Sequence, residues 1–262
     1  MTCPVIGLSV SATEVAGNST GFYLSQRKYA LDIITETGLL GSQPALFPLP
    51  HNHKLALSKS PLLKDVEPYR RLVDHWEAAV RVVRYLKANP GQGILLKSET
   101  DLKLYGWCDS DHASCPNTPC SLTGYFVQLG SSPIAWKTKK QPTVIRSSAE
   151  AEYRAMAFLT QELMWLKRLL DDLGVAHPDP MMVYSDSKAA IDIGANPVFH
   201  ERTKHVGVDC HFIRGEILTK NIANSYVSTR AQLDDIFTKA LGKKEFDSFP
   251  DKLGIIDLHA SA

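Results

Sequence analysis

No stretch of the 262-residue sequence approaches the roughly 18 uncharged apolar residues that a membrane helix needs, so no spanning segment is expected. Cysteine is scarce: five residues without regular spacing supply no disulfide framework and fit a reducing compartment. The opening residues, Met1-Thr2-Cys3-Pro4-Val5-Ile6-Gly7, lack a basic stretch followed by a long apolar run. No signal peptide is therefore expected, and a cytosolic or nuclear, non-secreted protein is the default. An excess of one charge is missing too. Lysine plus arginine (29) nearly cancels aspartate plus glutamate (28), so no global basic field draws in nucleic acid and any such contact must use local patches. Internal repeats and low-complexity tracts are also lacking. What is present, 44% hydrophobic and 22% charged residues, is ordinary for a soluble globular chain and sufficient for an unstapled core.

Two regions differ in their patterning. From Met1 to about Ser98 a short β-like stretch is followed by Gly21-Phe22-Tyr23-Leu24-Ser25, and then by a helix over Ala30–Thr37 that ends at Gly38 as at a C-cap. Between Gln43 and Pro61, four prolines (Pro44, Pro48, Pro50, Pro61) forbid a long helix. Helix returns over Asp74–Lys87, where Trp76, Ala79, Val80, Val83 and Leu86 recur at three- and four-residue steps, and Asn89-Pro90-Gly91 stops it. This region is read as helical and irregular, without a catalytic constellation. From Lys103 the pattern becomes α/β. Lys103–Asp109, Thr123–Leu129 and Pro133–Lys137 read as strands of an antiparallel meander, Ser147–Leu173 as a long helix and Met181–Ser185 as a further strand. Helical segments are expected over Ser187–Ile193, Val206–Leu218 and Ala231–Leu241. Strands first, then alternating helix and strand, predict a mixed sheet with helices on its faces.

Several acids stand where burial rules do not normally place them. Asp109 ends the first strand of this second region and Asp186 follows the last, the strand ends beyond which ligands gather in α/β sheets. Asp186 reads equally well as the cap of the next helix. The apolar stripe of the long helix runs through Met156, Leu159, Leu163, Leu166, Leu170 and Leu173, and extended backward by one turn it reaches Glu152. A glutamate in line with a buried stripe demands a partner or a metal. The alternative is a stripe that leaves the core at its first turn, with Glu152 solvated. Glu150 has a structural role available, a capping box with Ser147. Asp234 and Asp235 open the last helix, where paired acids usually serve the macrodipole. Together these acids supply the hard oxygen ligands that Mg²⁺ prefers. Lys137, Lys139, Lys140 and Arg146 form a basic cluster beside them, suited to phosphates and equally to guarding a solvated strand edge. His112, Cys115 and Cys120, with Cys210 and His211, invite a zinc reading, but their spacing fits no common structural zinc pattern.

The order and spacing of several segments carry a resemblance. They are Gly106-Trp107-Cys108-Asp109-Ser110-Asp111, Ser121-Leu122-Thr123-Gly124-Tyr125, Ile134-Ala135-Trp136-Lys137-Thr138-Lys139-Lys140-Gln141 and Ser147-Ser148-Ala149-Glu150-Ala151-Glu152-Tyr153. Asp186-Ser187-Lys188-Ala189-Ala190-Ile191, Arg202-Thr203-Lys204-His205-Val206, His211-Phe212-Ile213-Arg214 and Gln232-Leu233-Asp234-Asp235-Ile236-Phe237-Thr238-Lys239-Ala240-Leu241 follow. From about Leu104 to Ala260 the chain closely resembles the ribonuclease H domain and C-terminal tail of copia-type LTR retrotransposon polyproteins, which are widespread in plants. Phe22–Ala30, Tyr69–Val73 and His75–Lys87 resemble the distal end of the reverse transcriptase of the same polyproteins. The resemblance implies a truncated reverse-transcriptase region over 1–98, a ribonuclease H domain over 99–245 and a C-terminal tail over 246–262. The implied fold is a ribonuclease H-like mixed five-stranded α/β sheet with flanking helices, preceded by a small helical and irregular remnant.

What the family does then becomes the expectation. Its four metal-binding acids fall on Asp109, Glu152, Asp186 and Asp235. They imply two Mg²⁺ ions, with Mn²⁺ as a substitute, and hydrolysis of the RNA strand of an RNA–DNA hybrid. Asp109 would bridge the ions, with Glu152 and Asp186 on one side and Asp235 on the other. Other parts of the polyprotein are implied partners, no membrane is, and the virus-like particle joins the expected locations. The polymerase motif Tyr-x-Asp-Asp is absent, so the chain does not synthesise DNA by itself. Departures from the family pattern are Asp234 where alanine is usual, His112 where tryptophan is common, and Gly207 and Gly215 where an acid is common. A helical stretch that the family carries between Val73 and Asp74 is missing. These departures motivate the rival expectation of a catalytically inactive remnant that at most binds nucleic acid. A weaker alternative is a nuclease of this fold acting on DNA.

Overall fold

A computed structural model describes residues 8–10, 13–49, 67–112, 120–142, 144–145, 147–195 and 207–258. The described chain divides into two units: residues 100–239 form one, and 1–99 with 240–262 form the other.

In the first unit the alternation of Gly21-Phe22-Tyr23-Leu24-Ser25 places Tyr23 in the interior and leaves Phe22 exposed, as a two-residue period requires. This strand is the centre of an antiparallel sheet. Its members are β1 (Leu8–Val10), β2 (Thr13–Asn18), β3 (Gly21–Ser25), then α1 (Arg27–Glu36) and α2 (Glu67–Ala88) in the chain, and β4 (Gln92–Lys97). The sheet order is β1-β2-β3-β4-β10, the last strand being Ile255–Asp257 from the far end of the chain. The reading of this region as helical and irregular is corrected by that sheet. Its pairings join β3 to β4 across some 70 residues and β4 to β10 across more, so no local signal could show them. The helix α2 runs without a break through Val73 and Asp74. Residues 50–66, including Pro50 and Pro61, lie outside the described residues.

The second unit is built on β5 (Leu104–Asp111), β6 (Leu122–Leu129), β7 (Ser132–Lys140), α3 (Ser148–Asp172), β8 (Met181–Ser185), α4 (Lys188–Ala195), α5 (Gly207–Leu218), β9 (Ile222–Tyr226) and α6 (Asp235–Thr238). The sheet order is β7-β6-β5-β8-β9, antiparallel among the first three strands and parallel from β5 to β8 to β9. It is the expected mixed five-stranded α/β sheet with flanking helices. The leucine stripe of α3 lies against it: Met156, Leu159 and Leu163 are fully buried with Leu104, Cys108, Val127 and Val183. Helix and strand approach so closely that a Cβ on Gly106 would stand 2.7 Å from Leu159 Cδ1, so any larger residue there would make the Leu159 side chain shift.

Two expectations change here. β9 is a strand that the sequence does not announce, because Ile-Ala-Asn-Ser-Tyr offers little apolar pattern and its parallel partner is remote in sequence. The helix expected over Ala231–Leu241 is cut to Asp235–Thr238. The chain at Gln232 is extended (φ −75°, ψ 108°), and the buried Gln232 Nε2 donates to Cys108 O at 2.7 Å, which holds the backbone out of helix. After α6 the chain passes to the first unit through α7 (Lys243–Phe246), α8 (Phe249–Lys252) and β10. No described helix is long and apolar enough to cross a membrane.

Candidate metal centre

β5 and β8 run parallel, with Trp107 beside Tyr184, so their carboxyl ends share one edge of the sheet. Asp109 lies on β5 just past the last residue paired with β8, and Asp186 follows the end of β8. Glu152 enters from the first turns of α3, four residues before Met156 on its buried face. The three side chains meet: one carboxylate oxygen from each of Asp109, Glu152 and Asp186 lies within 4.8 Å of the others. Asp109 is 1% exposed and Glu152 9% exposed, so the stripe does not leave the core before Glu152.

The cluster pushes Glu152 toward protonation. Burial, with Asp109 and Asp186 adding to it, moves the Glu152 carboxyl up to about 9, although the Ser110 amide and Lys239 pull the other way. Glu152 Oε2 is buried without a hydrogen-bond partner. An orphaned carboxylate oxygen among two other acids is relieved by a hard cation, and this donor set fits a divalent ion with oxygen ligands. The local caps leave these groups free. Ser147 Oγ accepts from the Glu150 amide at 3.2 Å, and Ser187 Oγ accepts from the Ala190 amide at 3.2 Å, so Ser187 takes the capping role open to Asp186. Asp186 Oδ2 instead accepts from Thr229 Oγ1 at 2.8 Å.

The fourth acid is placed differently. Asp235 is outside the trio; its Oδ1 lies 2.6 Å from Lys239 Nζ, which also lies 3.2 Å from Asp109 Oδ1 and 3.1 Å from Asp109 Oδ2. Burial raises the Asp235 carboxyl, with Asp109 and Asp186 adding to the rise and Lys239 opposing it. Thr238 Oγ1 donates to Asp109 Oδ2. Asp234 is 0% exposed; the Asp109 amide approaches its carboxylate, but neither oxygen has a partner in good hydrogen-bond geometry. Burial and the neighbouring Asp109 drive its carboxyl far up. It fits only because β6 carries Gly124, where a Cβ would stand 2.7 Å from Asp234 Oδ2 and from Thr238 Cγ2.

Of the basic cluster, Lys137, Lys139 and Lys140 are exposed on β7, an edge strand, with Lys139 Nζ 5.9 Å from the centre of the Phe158 ring. Arg146, Cys115 and His205 lie outside the described residues. His112 Nδ1 lies 3.2 Å from Ser121 Oγ. Sequence reasoning missed Lys239 and the complete burial of Asp234. The four-residue step from Asp235 to Lys239 was the available signal for the first.

No protein-family model matches the chain. Among curated proteins, it is 37% identical over 270 aligned residues to the retrovirus-related Pol polyprotein from transposon RE2 of Arabidopsis thaliana, covering 92% of the chain. It is 35% identical to the corresponding polyprotein from transposon TNT 1-94 of Nicotiana tabacum over 70% of the chain. An uncharacterised mitochondrial protein of Arabidopsis thaliana is 32% identical and is matched over 75% of its length. The chain belongs to the retrovirus-related Pol polyproteins of plant transposons. It spans 18% of the RE2 polyprotein and 14% of the TNT 1-94 polyprotein, so it corresponds to a segment of these Pol proteins. Among solved structures, this Pol segment aligns with the N-terminal RNase H domain of a Mycobacterium tuberculosis protein at 15% identity and a TM-score of 0.37, over 58% of the segment and 96% of that chain. It aligns with a foamy viral protease-reverse transcriptase in complex with double-stranded DNA at 14% identity and a TM-score of 0.39, over 85% of the segment and 45% of that chain.

Proposed function

We propose that the second unit is a ribonuclease H-type endonuclease of a copia-type Pol polyprotein, which cleaves the RNA strand of RNA–DNA hybrids with divalent metal held by Asp109, Glu152 and Asp186. The observation that carries this reading is the convergence of those three carboxylates, from two parallel strand ends and one helix, on a point where Glu152 has an orphaned oxygen. Where two ions bind, Asp235 would supply the fourth carboxylate. When bound, Mg²⁺ or Mn²⁺ would supply a Lewis acid for the scissile phosphate and a lowered pKa for the attacking water. The chain's own residues do the rest. Asp109, fixed from behind by Thr238, presents its carboxylate at the centre of the cluster. Thr229 orients Asp186, and the buried first turns of α3 keep Glu152 from water. Lys137, Lys139 and Lys140 on the edge strand, with Arg146, offer ammonium and guanidinium groups to the hybrid backbone. Minor-groove contacts to 2′-hydroxyls would separate a hybrid from DNA. Other segments of the polyprotein are the remaining partners on this reading.

The test is Mg²⁺-dependent cleavage of an end-labelled hybrid by the full chain, with Asp109→Asn as control and a DNA duplex as competitor substrate. Cleavage that is lost in the variant supports the reading. A folded wild-type chain that leaves the hybrid intact sinks it in favour of an inactive remnant, and cleavage of the duplex alone sinks the substrate assignment.

A further inference from the structure

The acids around Asp109 fall into two halves. Glu152 and Asp186 share one side with Asp109, where among the described residues three carboxylate oxygens stand within 4.8 Å. On the other side Asp109 faces Asp235, and here a cation is already present. Lys239 Nζ lies 2.6 Å from Asp235 Oδ1 and 3.1 to 3.2 Å from the two Asp109 oxygens. The contact to Asp235 has the short length of a charge-assisted hydrogen bond, and the two to Asp109 are longer ion-pair contacts. Asp235 opens α6 and Lys239 is the extended residue that closes it, four positions on, with its amide bonded back to Asp235 O. The carboxylates it joins are 1% and 9% exposed at the side chain, whereas the lysine side chain is 37% exposed and has a route to solvent.

From this geometry we infer that Lys239 is the resident cation of the Asp109–Asp235 half of the site, and that a second divalent ion binds there only by displacing its ammonium group. The inference rests on the proposed metal-dependent reading. An ammonium between two carboxylates satisfies the same oxygens that a divalent ion would take. Both cannot occupy the position, because like charges a few ångströms apart in a buried site repel strongly. Of the trio Lys239 touches Asp109 alone among the bonds described, and Glu152 and Asp186 stay open to an ion, so its ammonium competes less with the first ion than with the second. The two ions are therefore unequal. The first enters a site held open by Glu152's orphaned oxygen, and the second pays for breaking the Lys239–Asp235 pair. The partly exposed Lys239 stem can carry the displaced ammonium outward, toward the face where a phosphate backbone would lie. Lys239 is on this account a positioning residue that sets the order of metal loading.

The experiment is a Mn²⁺ titration of the full chain, with free ion followed by electron paramagnetic resonance, on the wild type, Lys239→Met, Lys239→Arg and Asp109→Asn. The wild type is expected to bind one ion tightly and a second weakly. Removing the ammonium in Lys239→Met should tighten the second ion by at least about tenfold, given the coupling that close charge pairs show, and change the first by less, since of the trio the lysine touches Asp109 alone. Lys239→Arg retains the charge and should keep the wild-type inequality, which a purely structural role for the lysine stem would not separate from Lys239→Met. A second-ion affinity in Lys239→Met equal to or weaker than that of the wild type, in protein with a native circular dichroism spectrum, overturns the inference. Should Lys239→Met not fold, the arginine variant decides. Two equally tight ions in the wild type or in Lys239→Arg would likewise overturn it. Failure of the metal reading looks different: wild type and Asp109→Asn would then bind Mn²⁺ identically.

Discussion

At Asp234 the chain places a carboxylic acid in an interior where the Asp109 amide alone approaches it. Neither buried oxygen has a partner in good hydrogen-bond geometry, and the acids Asp109 and Asp235 are neighbours. An unsatisfied buried polar group costs about 1–3 kcal/mol, and a charged one more. The group therefore keeps its proton in the folded state, at a pH where the unfolded chain would release it. The sign follows from that difference. The folded protein binds the extra proton, so the stability it contributes is complete below the ordinary aspartate range and is lost as pH rises toward the elevated folded value. Asp234→Ala should stabilise the protein by about 1–3 kcal/mol at neutral pH. Its advantage over wild type should shrink as pH falls to about 4. Urea denaturation at pH 4.5 and pH 7.5, without divalent ions, measures both. An alanine variant no more stable than wild type at pH 7.5 would show that Asp234 has a partner in solution.

Among the elements, the start of α3 depends on one side chain. Gln141 is 1% exposed, and its Nε2 donates to Thr123 Oγ1 at 2.8 Å and to Ala151 O at 3.1 Å, with Ser110 Oγ at 3.4 Å. It thereby ties β6, β5 and the turn that carries Glu152. Gln141→Leu keeps the volume and removes the donor, which deprives buried Thr123 Oγ1 of a partner and cuts the tie to Ala151 O. A loss of about 1–3 kcal/mol in unfolding free energy is expected, with weaker Mn²⁺ binding because Glu152 moves with Ala151. Equal Mn²⁺ affinity in a folded variant would detach Gln141 from the site. The same elements mark what could be read from the sequence. The step from Glu152 to the leucine stripe is local and periodic, so its burial was legible, and Met181–Ser185 was bounded by its apolar run. Gln141 belonged to a recognisable motif, yet its bonds reach Ala151 and Thr123 through the fold alone. β9 and β10 have weak patterns and distant partners, and α6 was overestimated because the pull of Cys108 O on Gln232 is tertiary.

Over the whole molecule, the acids and their supports all fall within residues 100–239, a segment that the chain enters and leaves through residues of the other unit. Net charge is +1, so no long-range field holds a cation at the cluster, and an ion must be retained by local ligands. A ligand that binds only the folded state stabilises what it touches in proportion to its occupancy. Divalent metal should therefore slow local opening where carboxylates converge and nowhere else. Hydrogen exchange with and without 10 mM-range Mg²⁺ is the direct measurement, at a concentration on the order of a hundredfold above a sub-millimolar dissociation constant. Protection should rise in β5, in the first turns of α3, at the end of β8 and across α6. It should stay unchanged in β2, β3 and β4, whose described residues contribute no ligand to the trio. In Asp109→Asn the same Mg²⁺ addition should leave both units as they were, since the residue common to both halves of the cluster has lost its charge. Protection spread evenly over both units, or retained in that variant, would place the ion elsewhere in the chain.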